Sequence, residues 1–325
     1  MMASQLSIAK ALNEALRKSL ESDPKTVLMG EDIGKLGGVF RITDGLQKDF
    51  GDDRVIDTPL AESGIVGTAI GLALRGYRPV VEIQFDGFVY PAFDQIVSQL
   101  AKMHARALGH VKMPITVRIP FGGGIGAVEH HSESHEAYFA HTAGLRVVSP
   151  SNAHDAHWML RQAIESDDPV IFLEPKRRYW DKGEVGEDPM LPLHSARIVR
   201  PGTDATLIAY GPMVKVCQEA AQAAEEDGRR LEVVDLRSLS PIDFATVEES
   251  VKRTGRGIVV HEAPVFLGLG AELAARLTER CFYHLEAPIL RVGGYHAPYP
   301  PSRVEETYLP DLDRVLDAVD RALAF

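Results

Sequence analysis

A single carboxylate, Glu62, stands where a predicted strand meets a predicted helix. The segment 57–64 follows a short β-branched run and opens a helix that is rich in small residues. The apolar neighbours Leu60 and Ile65 would desolvate the Glu62 carboxylate, and desolvation raises a carboxyl pKa toward the range of proton transfer near neutral pH. A second interpretation is that Glu62 only favours the positive end of the helix. Both interpretations are open on these residues alone.

Histidines and carboxylates cluster in the segment 129–141. Histidine is the side chain best suited to moving protons near neutral pH. His131 and His135 are four residues apart and are expected to share a helix face, which suggests zinc, but the His-Glu-x-x-His pattern is absent. The composition fits a solvated polar loop as well as a catalytic loop.

A glycine-rich segment, 121–126, precedes this cluster and looks at first like a phosphate-binding loop. It has neither the Gly-x-Gly-x-x-Gly spacing nor the Lys-Ser/Thr pair of a P-loop. We therefore predict a loop that needs positive φ or close packing. Later in the chain, the segment 261–264 ends a predicted strand, where ligand sites on open α/β sheets form. The simpler interpretation is that segment 261–264 has a structural role at an interface.

The overall composition excludes several classes of function. Of 325 residues, 45% are hydrophobic and 25% charged, as in globular proteins, and the net charge of −11 with scattered basic residues argues against nucleic acid. Cys217 and Cys281 fit neither a disulfide framework nor a metal site. No apolar run approaches the ~20 residues that span a bilayer, and the N-terminus reads as an amphipathic helix. We therefore expect a cytoplasmic protein.

Short β-branched runs alternate with helical patterns, which predicts parallel sheets with crossover helices. A first helix shows an apolar stripe every four residues and ends near Pro24. The predicted strands of the first half cover residues 27–29, 54–57, 80–85, 115–119, 146–149 and 170–173, and its further helices cover 64–75, 91–108 and 153–164.

A charged stretch with Gly and Pro interrupts the pattern between residues 175 and 196, and we interpret it as a linker. The alternation then resumes in a second, smaller part of the chain. Its predicted strands cover residues 206–210, 231–236, 257–261 and 288–292, and its helices cover 214–226, 244–253, 271–279 and about 312 to the end.

Several motifs, in the same order along the chain, resemble the β subunits of the decarboxylating component of 2-oxo acid dehydrogenase complexes, chiefly the branched-chain type. The resemblance runs nearly end to end. Its most specific stretches are Gly30-Glu31-Asp32, Asp57-Thr58-Pro59-Leu60-Ala61-Glu62, Glu82-Ile83-Gln84-Phe85, Tyr90-Pro91-Ala92-Phe93-Asp94-Gln95, His131-Ser132-Glu133-Ser134 before His141, His261-Glu262-Ala263-Pro264 and Leu285-Glu286-Ala287-Pro288.

The resemblance implies an α/β protein of two domains. Residues 1–180 would form a thiamin diphosphate-binding domain of the pyrimidine type on a parallel sheet, and residues 181–200 a linker. Residues 201–325 would form a smaller, doubly wound domain of the transketolase C-terminal type, which serves subunit assembly.

The same resemblance implies roles for individual residues. Glu62 would hydrogen-bond the aminopyrimidine ring of thiamin diphosphate and drive it to the imino form that deprotonates the thiazolium carbon. Leu60, Gln84 and Phe88 match positions that line the pyrimidine pocket, although branched-chain relatives often carry Tyr in place of Phe88. His131 matches a histidine near the thiazolium that assists acyl transfer to lipoamide. The implied enzyme is an oxidoreductase that acts on an oxo group with a disulfide acceptor.

The resemblance also implies metals and partners. The family binds a structural monovalent cation, potassium, through backbone carbonyls near positions that match Ile115, Thr116, Ala163, Ser166 and Asp168. No Gly-Asp-Gly motif for a divalent metal occurs in this sequence. An α subunit would therefore hold magnesium and the diphosphate in an α2β2 heterotetramer, and the C-terminal domain would dock the lipoyl-bearing dihydrolipoamide acyltransferase.

Three alternatives stay open at this point. A pyruvate dehydrogenase β subunit would use the same catalytic parts with another acyl pocket. A transketolase-like synthase is a more distant enzyme class, because it would not need lipoamide. A non-catalytic scaffold subunit would assemble with an α chain without contributing to turnover.

Overall fold

The computed structural model describes residues 4–325, which form two compact units. The first unit combines the chain up to Phe121 with Tyr138–Leu193. The second combines Gly122–Ala137 with His194–Phe325. Residues 129–137 of the histidine cluster therefore belong to the second unit, although they lie in the first half of the sequence, whereas His141 belongs to the first unit.

The first unit is a parallel α/β sheet with helices between its strands. Its strands are β1 Ser4–Ser7, β2 Thr26–Gly30, β3 Val55–Asp57, β4 Arg78–Glu82, β5 Thr116–Phe121, β6 Arg146–Val148, β7 Val170–Pro175 and β8 Lys182–Val185. Its helices are α1 Ile8–Ser22, α2 Leu46–Phe50, α3 Glu62–Leu74, α4 Ala101–Arg106 and α6 Ala153–Glu165, with the short α5 Glu136–Ala140 at the unit boundary.

Within this unit the strands lie in the order β6-β7-β5-β4-β2-β3, and each neighbouring pair is parallel. Every residue of β2, β5 and β7 is buried, as expected for continuous apolar runs covered on both faces. The apolar stripe of α1 packs into one core cluster with α6. The predicted α/β class is confirmed.

Two parts of the first unit differ from the sequence-based expectation. The predicted helix 91–108 is divided into a 3₁₀ segment Asp86–Ala92, a π-helical segment Gln95–Leu100 and α4. Pro91 lies inside the 3₁₀ segment, where its missing N–H disfavours a regular α-helix. In addition, β8 pairs antiparallel with β1, with Ser4 opposite Val185.

The second unit has a mostly parallel sheet of its own. Its strands are β9 Arg197–Arg200, β10 Ala205–Ala209, β11 Leu231–Asp235, the short β12 Ser238–Ser240, β13 Gly257–Pro264 and β14 Leu290–Gly294. Its helices are α7 Met213–Glu226, α8 Phe244–Thr254, α9 Leu269–Cys281, α10 Glu305–Tyr308 and α11 Leu312–Leu323. The sheet order is β14-β13-β10-β11-β9, in which only β9 is antiparallel to its neighbour.

The apolar faces of α7 and α11 cover one side of this sheet and form its core cluster. Among residues 4–325, no helix is both long enough and apolar enough to span a membrane.

Candidate active site

Polar residues gather at the carboxyl ends of three neighbouring strands of the first unit, in the order β4-β2-β3. Glu31 directly follows β2, Glu62 follows β3 after a short turn, and Gln84 follows β4. Because parallel strands place their carboxyl ends at one edge of the sheet, these side chains share the edge where α/β proteins bind ligands. Sequence order alone did not reveal that β2 lies between β3 and β4.

Glu62 is the first residue of α3, and its side chain is only 6% exposed. The preceding residue, Ala61, caps the helix without a side-chain hydrogen bond. Among the described residues, the Glu62 carboxylate has no hydrogen-bond or ion-pair partner. A buried carboxylate without a partner is costly unless a ligand supplies one. These observations favour a ligand-binding role for Glu62 over helix stabilisation.

Glu31 is a second buried carboxylate at the same edge, with an exposed fraction of 8%. Its Oε1 atom is buried and has no hydrogen-bond partner among residues 4–325. Burial raises the pKa of the Glu31 carboxyl, and the negative charges of Glu62 and Asp32 raise it further. The two carboxyls at positions 31 and 62 are therefore electrostatically coupled.

The residues matched to the pyrimidine pocket differ in their surroundings. Leu60 is 80% exposed, so its side chain is free to contact a ligand or another chain. The Gln84 amide nitrogen lies 3.4 Å from an Asp32 carboxylate oxygen. The Phe88 ring packs edge-to-face on Phe85, with ring centroids 5.9 Å apart. Phe88 is thus held by aromatic packing, in which a tyrosine hydroxyl is not needed.

A buried ion-pair network fixes the strand that precedes Gln84. Arg118 on β5 donates a hydrogen bond of 2.7 Å to Glu82 at the end of β4 and one of 2.7 Å to Glu174 on β7. Tyr179 donates one of 2.6 Å to Glu174. Burial alone would lower the pKa of the Arg118 guanidinium, but the charges of Glu174 and Glu82 outweigh burial and raise it. Removing one partner would leave an uncompensated buried charge.

His131 lies in the second unit, at the end of the 3₁₀ turn Glu129–His131, and is partly exposed. Its Nδ1 atom is 3.0 Å from the carbonyl oxygen of His130, and the two rings lie 4.3 Å apart at their centroids. If Nδ1 carries the proton for that hydrogen bond, Nε2 is the nitrogen that bears the lone pair of the neutral ring.

The expectation that His131 and His135 share a helix face is wrong. The residues between them are not helical, because the 3₁₀ turn ends at His131 and α5 begins only at Glu136. The His135 Nε2 atom instead lies 3.1 Å from a carboxylate oxygen of Glu133. Among the described residues, no group of three or more His, Cys, Asp or Glu side chains is arranged to hold a metal ion.

The glycine-rich loop adopts the conformation predicted for it. Gly122, Gly124 and Gly126 have φ values of +81°, +82° and +70°. At Gly123 an added Cβ would lie 1.7 Å from the Tyr299 hydroxyl oxygen, so no side chain fits there. Both requirements named from the sequence, positive φ and close packing, are confirmed.

The residues matched to a monovalent cation lie at the start of β5 and the end of α6. The Ile115 carbonyl accepts a hydrogen bond of 2.9 Å from the Val170 amide, and the Ala163 carbonyl accepts one of 3.2 Å from the Ser166 amide. The Ser166 carbonyl accepts one of 3.0 Å from the Arg78 guanidinium. Each carbonyl oxygen has a second lone pair that these contacts leave available.

Thr116 supplies an observation that fits such a cation. Its side chain is 1% exposed, and its Oγ1 atom is buried without a hydrogen-bond partner among residues 4–325. A metal ion would satisfy this oxygen. The Asp168 carboxylate is already paired with Arg146 at 2.9 Å, so only its backbone could contribute.

Relatives of known name match this chain almost from end to end. It is 63% identical over 322 residues to a pyruvate dehydrogenase E1 component subunit beta of Leifsonia xyli subsp. xyli, covering 98% of this chain and 95% of the relative. It is 55% identical to a 3-methyl-2-oxobutanoate dehydrogenase subunit beta of Mycobacterium tuberculosis, covering 98% and 92%. The chain belongs to the family of 2-oxo acid dehydrogenase β subunits. A 2-oxoisovalerate dehydrogenase subunit beta of Pseudomonas aeruginosa is 47% identical over 98% of this chain and 95% of its own length.

Two transketolase domain models also match. The transketolase pyrimidine binding domain covers residues 4–181, and the transketolase C-terminal domain covers residues 194–315. In fold, the chain is similar to a split-gene transketolase, with a TM-score of 0.78, 23% identity and 98% coverage of both chains. It is also similar to a transketolase mutant from Pichia stipitis, with a TM-score of 0.72, 17% identity and 100% and 46% coverage.

The motifs of this β-subunit family singled out Glu62 but gave no role to the buried charges of Arg118 and Glu174 in the same sheet. Arg118 and Glu174 are lone charges inside apolar strands, a pattern that indicates paired buried groups. That signal was present in the sequence and was missed. Glu31 was named in a motif, but its coupling to Glu62 depends on the strand order and had no local signal.

Proposed function

We propose that this chain is the β subunit of a branched-chain 2-oxo acid dehydrogenase, which decarboxylates its substrate oxidatively with thiamin diphosphate and passes the acyl group to lipoamide. The observation that carries the proposal is the buried, unpartnered Glu62 carboxylate at the edge of a pyrimidine-binding-type domain. Relatives at 55% and 47% identity named as branched-chain dehydrogenase β subunits support the substrate class.

The residues of the first unit fit the aminopyrimidine part of the cofactor. Glu62 would accept a hydrogen bond from the ring, while Leu60, Gln84 and Phe88 would contact its faces and edges. The cofactor supplies the carbanion chemistry needed for decarboxylation. The Glu62 side chain is only 6% exposed, and a hydrogen bond accepted in such surroundings would be stronger than one in open water.

His131 has a separate task in this proposal. Its partly exposed imidazole would supply the proton for the sulfur released when the lipoyl disulfide is reduced and its other sulfur takes the acyl group. The hydrogen bond to the His130 carbonyl would orient the ring for that purpose. We therefore place proton transfer during acyl transfer, and not the earlier decarboxylation, at His131.

The chain would supply only part of the cofactor site. Because it has no Gly-Asp-Gly motif, an α subunit would hold magnesium and the diphosphate in an α2β2 heterotetramer. The isolated chain should then bind thiamin diphosphate weakly or not at all in calorimetry. Tight, magnesium-dependent binding by the isolated chain would contradict the shared site.

A monovalent cation, potassium, would bind at the start of β5 through the oxygens of Ile115, Thr116, Ala163 and Ser166 and the backbone near Asp168. The orphaned Thr116 hydroxyl supports this assignment. The cation would stabilise the end of α6 and the start of β5, since it would join oxygens from both elements.

The acyltransferase would dock on the acidic last helix, because opposite charges orient such encounters. The carboxylates in or just before this helix are Asp311, Asp313, Asp317 and Asp320. Three of them already have partners, since Asp311 accepts a hydrogen bond of 2.9 Å from the Arg314 amide, Asp317 lies 3.4 Å from Arg321 and Asp320 pairs with Arg229. Replacing Asp313 by Asn should therefore weaken acyltransferase binding and its salt dependence more than replacing Asp317, as measured by sedimentation. Equal acyltransferase binding by both variants and the parent would mean that the docking surface lies elsewhere.

Pyruvate is the second candidate substrate, because a relative named as a pyruvate dehydrogenase β subunit is 63% identical. The test is turnover of the reconstituted α2β2 tetramer with pyruvate, 3-methyl-2-oxobutanoate and 2-oxoglutarate. Preference for 3-methyl-2-oxobutanoate supports the main proposal, and preference for pyruvate supports the alternative. We also propose that the two domains cover residues 1–180 and 201–325 and that the protein is cytoplasmic.

A further inference from the structure

The glycine-rich loop of the second unit forms an anion-binding concavity. Gly122, Gly124 and Gly126 have positive φ, whereas the residues between them do not. Backbone N–H groups in such a glycine-rich stretch can line a concavity that attracts a negative charge. The loop thus offers amide donors to an anion, although it lacks the P-loop sequence.

The occupant of this concavity is a carboxylate of the chain itself. Glu305 Oε1 accepts a hydrogen bond of 2.8 Å from the Gly124 amide, and its Oε2 accepts one of 2.9 Å from the Gly126 amide. The Tyr299 hydroxyl donates one of 2.7 Å to Oε1. Glu262 accepts a further hydrogen bond from the Gly123 amide. Phosphate is therefore excluded from the loop, because the negative charge it would bring is already present.

The hydrogen bonds accepted by the Glu305 carboxylate are strong compared with those between neutral groups. Hydrogen bonds to an ionised carboxylate are roughly twice as strong as those between neutral groups, and Glu305 is only 6% exposed. Gly124 and Gly126 are exposed, so that without Glu305 their amides would exchange freely with water. The contacts also join residues 181 and 179 positions apart in sequence, which makes them a tertiary constraint on the loop.

The constrained loop leads directly into the histidine turn. His131 follows Gly126 by five residues, and the Gly122 amide donates a hydrogen bond of 2.9 Å to the Glu133 carbonyl on the far side of that turn. Beyond it, the Tyr210 hydroxyl donates one of 2.5 Å to the buried Glu136 carboxylate. The segment that carries His131 is thus tied down on both sides.

We infer that Glu305 is a positioning residue for His131: its carboxylate holds the glycine-rich loop so that the imidazole is placed for acyl transfer. This inference rests on the proposed function, which gives His131 that step. Tyr299 supports Glu305 by supplying a third donor. A role in folding alone would affect every activity of the enzyme to the same degree, whereas a positioning role affects only the step that uses His131.

The test uses the complete α2β2 tetramer with its acyltransferase and compares Glu305→Gln with the parent. Glutamine keeps the size of the side chain but has one acceptor oxygen, so one glycine amide loses its partner. Tyr299→Phe is a milder variant, which removes only the hydroxyl donor. Glu306→Gln is the matched control, because Glu306 is adjacent and exposed.

Two activities and one structural signal are measured. In Glu305→Gln, acylation of the lipoyl domain should fall about 10- to 100-fold, while decarboxylation with an artificial electron acceptor stays within about twofold. Hydrogen exchange at Gly124 or Gly126 should accelerate at least about tenfold. In a His131→Ala background, Glu305→Gln should have no further effect on acylation. Tyr299→Phe should show a smaller change in the same direction, and Glu306→Gln none.

Other outcomes would overturn the inference in distinguishable ways. Equal loss of both activities in Glu305→Gln and Tyr299→Phe means that Glu305 supports the fold only. If acylation is unchanged in Glu305→Gln, the carboxylate does not hold His131 in place. The same conclusion follows if acylation is lost while amide exchange at Gly124 and Gly126 is unchanged. If His131→Ala by itself lowers both activities equally, the proposed role of His131 fails, and the inference fails with it.

Discussion

The negative charge of Glu62 adds to burial in raising the pKa of the Glu31 carboxyl. Both side chains are buried at the carboxyl edge of adjacent strands, and Glu31 Oε1 has no partner in the described chain. Two neighbouring carboxylates repel each other when both are ionised. The ionised state of one residue therefore makes ionisation of the other more costly.

Glu31→Gln should raise the stability of the protein above that of the parent by a larger margin at neutral pH than at acid pH. The raised pKa means that the charged form of Glu31 is penalised in the folded state. The protonated Glu31 side chain therefore contributes to stability below the unfolded pKa of ~4.3, and this contribution is lost as the pH rises through the folded pKa. The melting temperature of the variant minus that of the parent should thus be larger at pH 7 than at pH 4. Glu14→Gln, on the exposed face of α1, is the control. An identical difference at both pH values would contradict the raised pKa of Glu31.

Thr116→Val should change the response of the protein to potassium. Without potassium, the variant should melt at a higher temperature than the parent, because an unpaired buried hydroxyl costs ~1–3 kcal/mol. With potassium, the parent should gain stability through binding and the variant should not. Thr26→Val is the matched control, since Thr26 Oγ1 is also buried and unpartnered but lies outside the proposed cation set. A potassium-induced rise of the same size in all three proteins would exclude a cation at Thr116.

His131→Ala should separate acyl transfer from decarboxylation. Loss of an acid–base group lowers the rate of its step by ~10²–10⁴-fold, so acylation of the lipoyl domain should fall by at least about 100-fold. Decarboxylation followed with an artificial electron acceptor bypasses lipoamide and should be nearly unchanged. His130→Ala, which alters the adjacent exposed ring, should have a smaller effect. If both assays lose the same factor in His131→Ala, the residue serves substrate binding or the earlier chemistry.

Regular elements were predictable wherever local periodicity specifies them. The four-residue apolar stripe predicted α1, which extends over Ile8–Ser22, and the β-branched runs predicted β2, β5 and β7 within a few residues. The pair formed by β1 and β8 was not predictable, because both strands are short and β8 is polar. Their pairing links positions that are far apart in sequence and leaves no local pattern.

The same limit applies to the candidate site. Glu62 was predictable, because its strand-to-helix junction and its motif are local features. The contacts of Glu305 with the glycine-rich loop were not, since they join parts of the chain separated by about half its length. The loop's positive φ could be predicted from its glycines, but the charge that fills it could not.

Glu62→Gln should abolish most activity while leaving the assembled protein intact. Glutamine keeps the shape of the side chain but cannot hold or accept the proton that a carboxylate can, and such a loss is worth ~10²–10⁴-fold in rate. The helix-terminus contribution lost with the charge is only ~0.3–1 kcal/mol, which is too small to dissociate a tetramer. Assembly, followed by sedimentation, should therefore be unchanged.

The exchange of the thiazolium C2 proton with deuterated water isolates the step assigned to Glu62. The rate is measured in the α2β2 tetramer saturated with thiamin diphosphate and magnesium, for the parent, for Glu62→Gln and for the exposed control Glu14→Gln. Exchange should slow by the same factor as turnover in Glu62→Gln only. Because the negative charge at position 62 is also lost, the pKa of Glu31 should shift down toward its ordinary value, which a carboxyl-selective spectroscopic titration can follow. Fast exchange in saturated Glu62→Gln would mean that Glu62 does not activate the cofactor and serves the helix terminus instead.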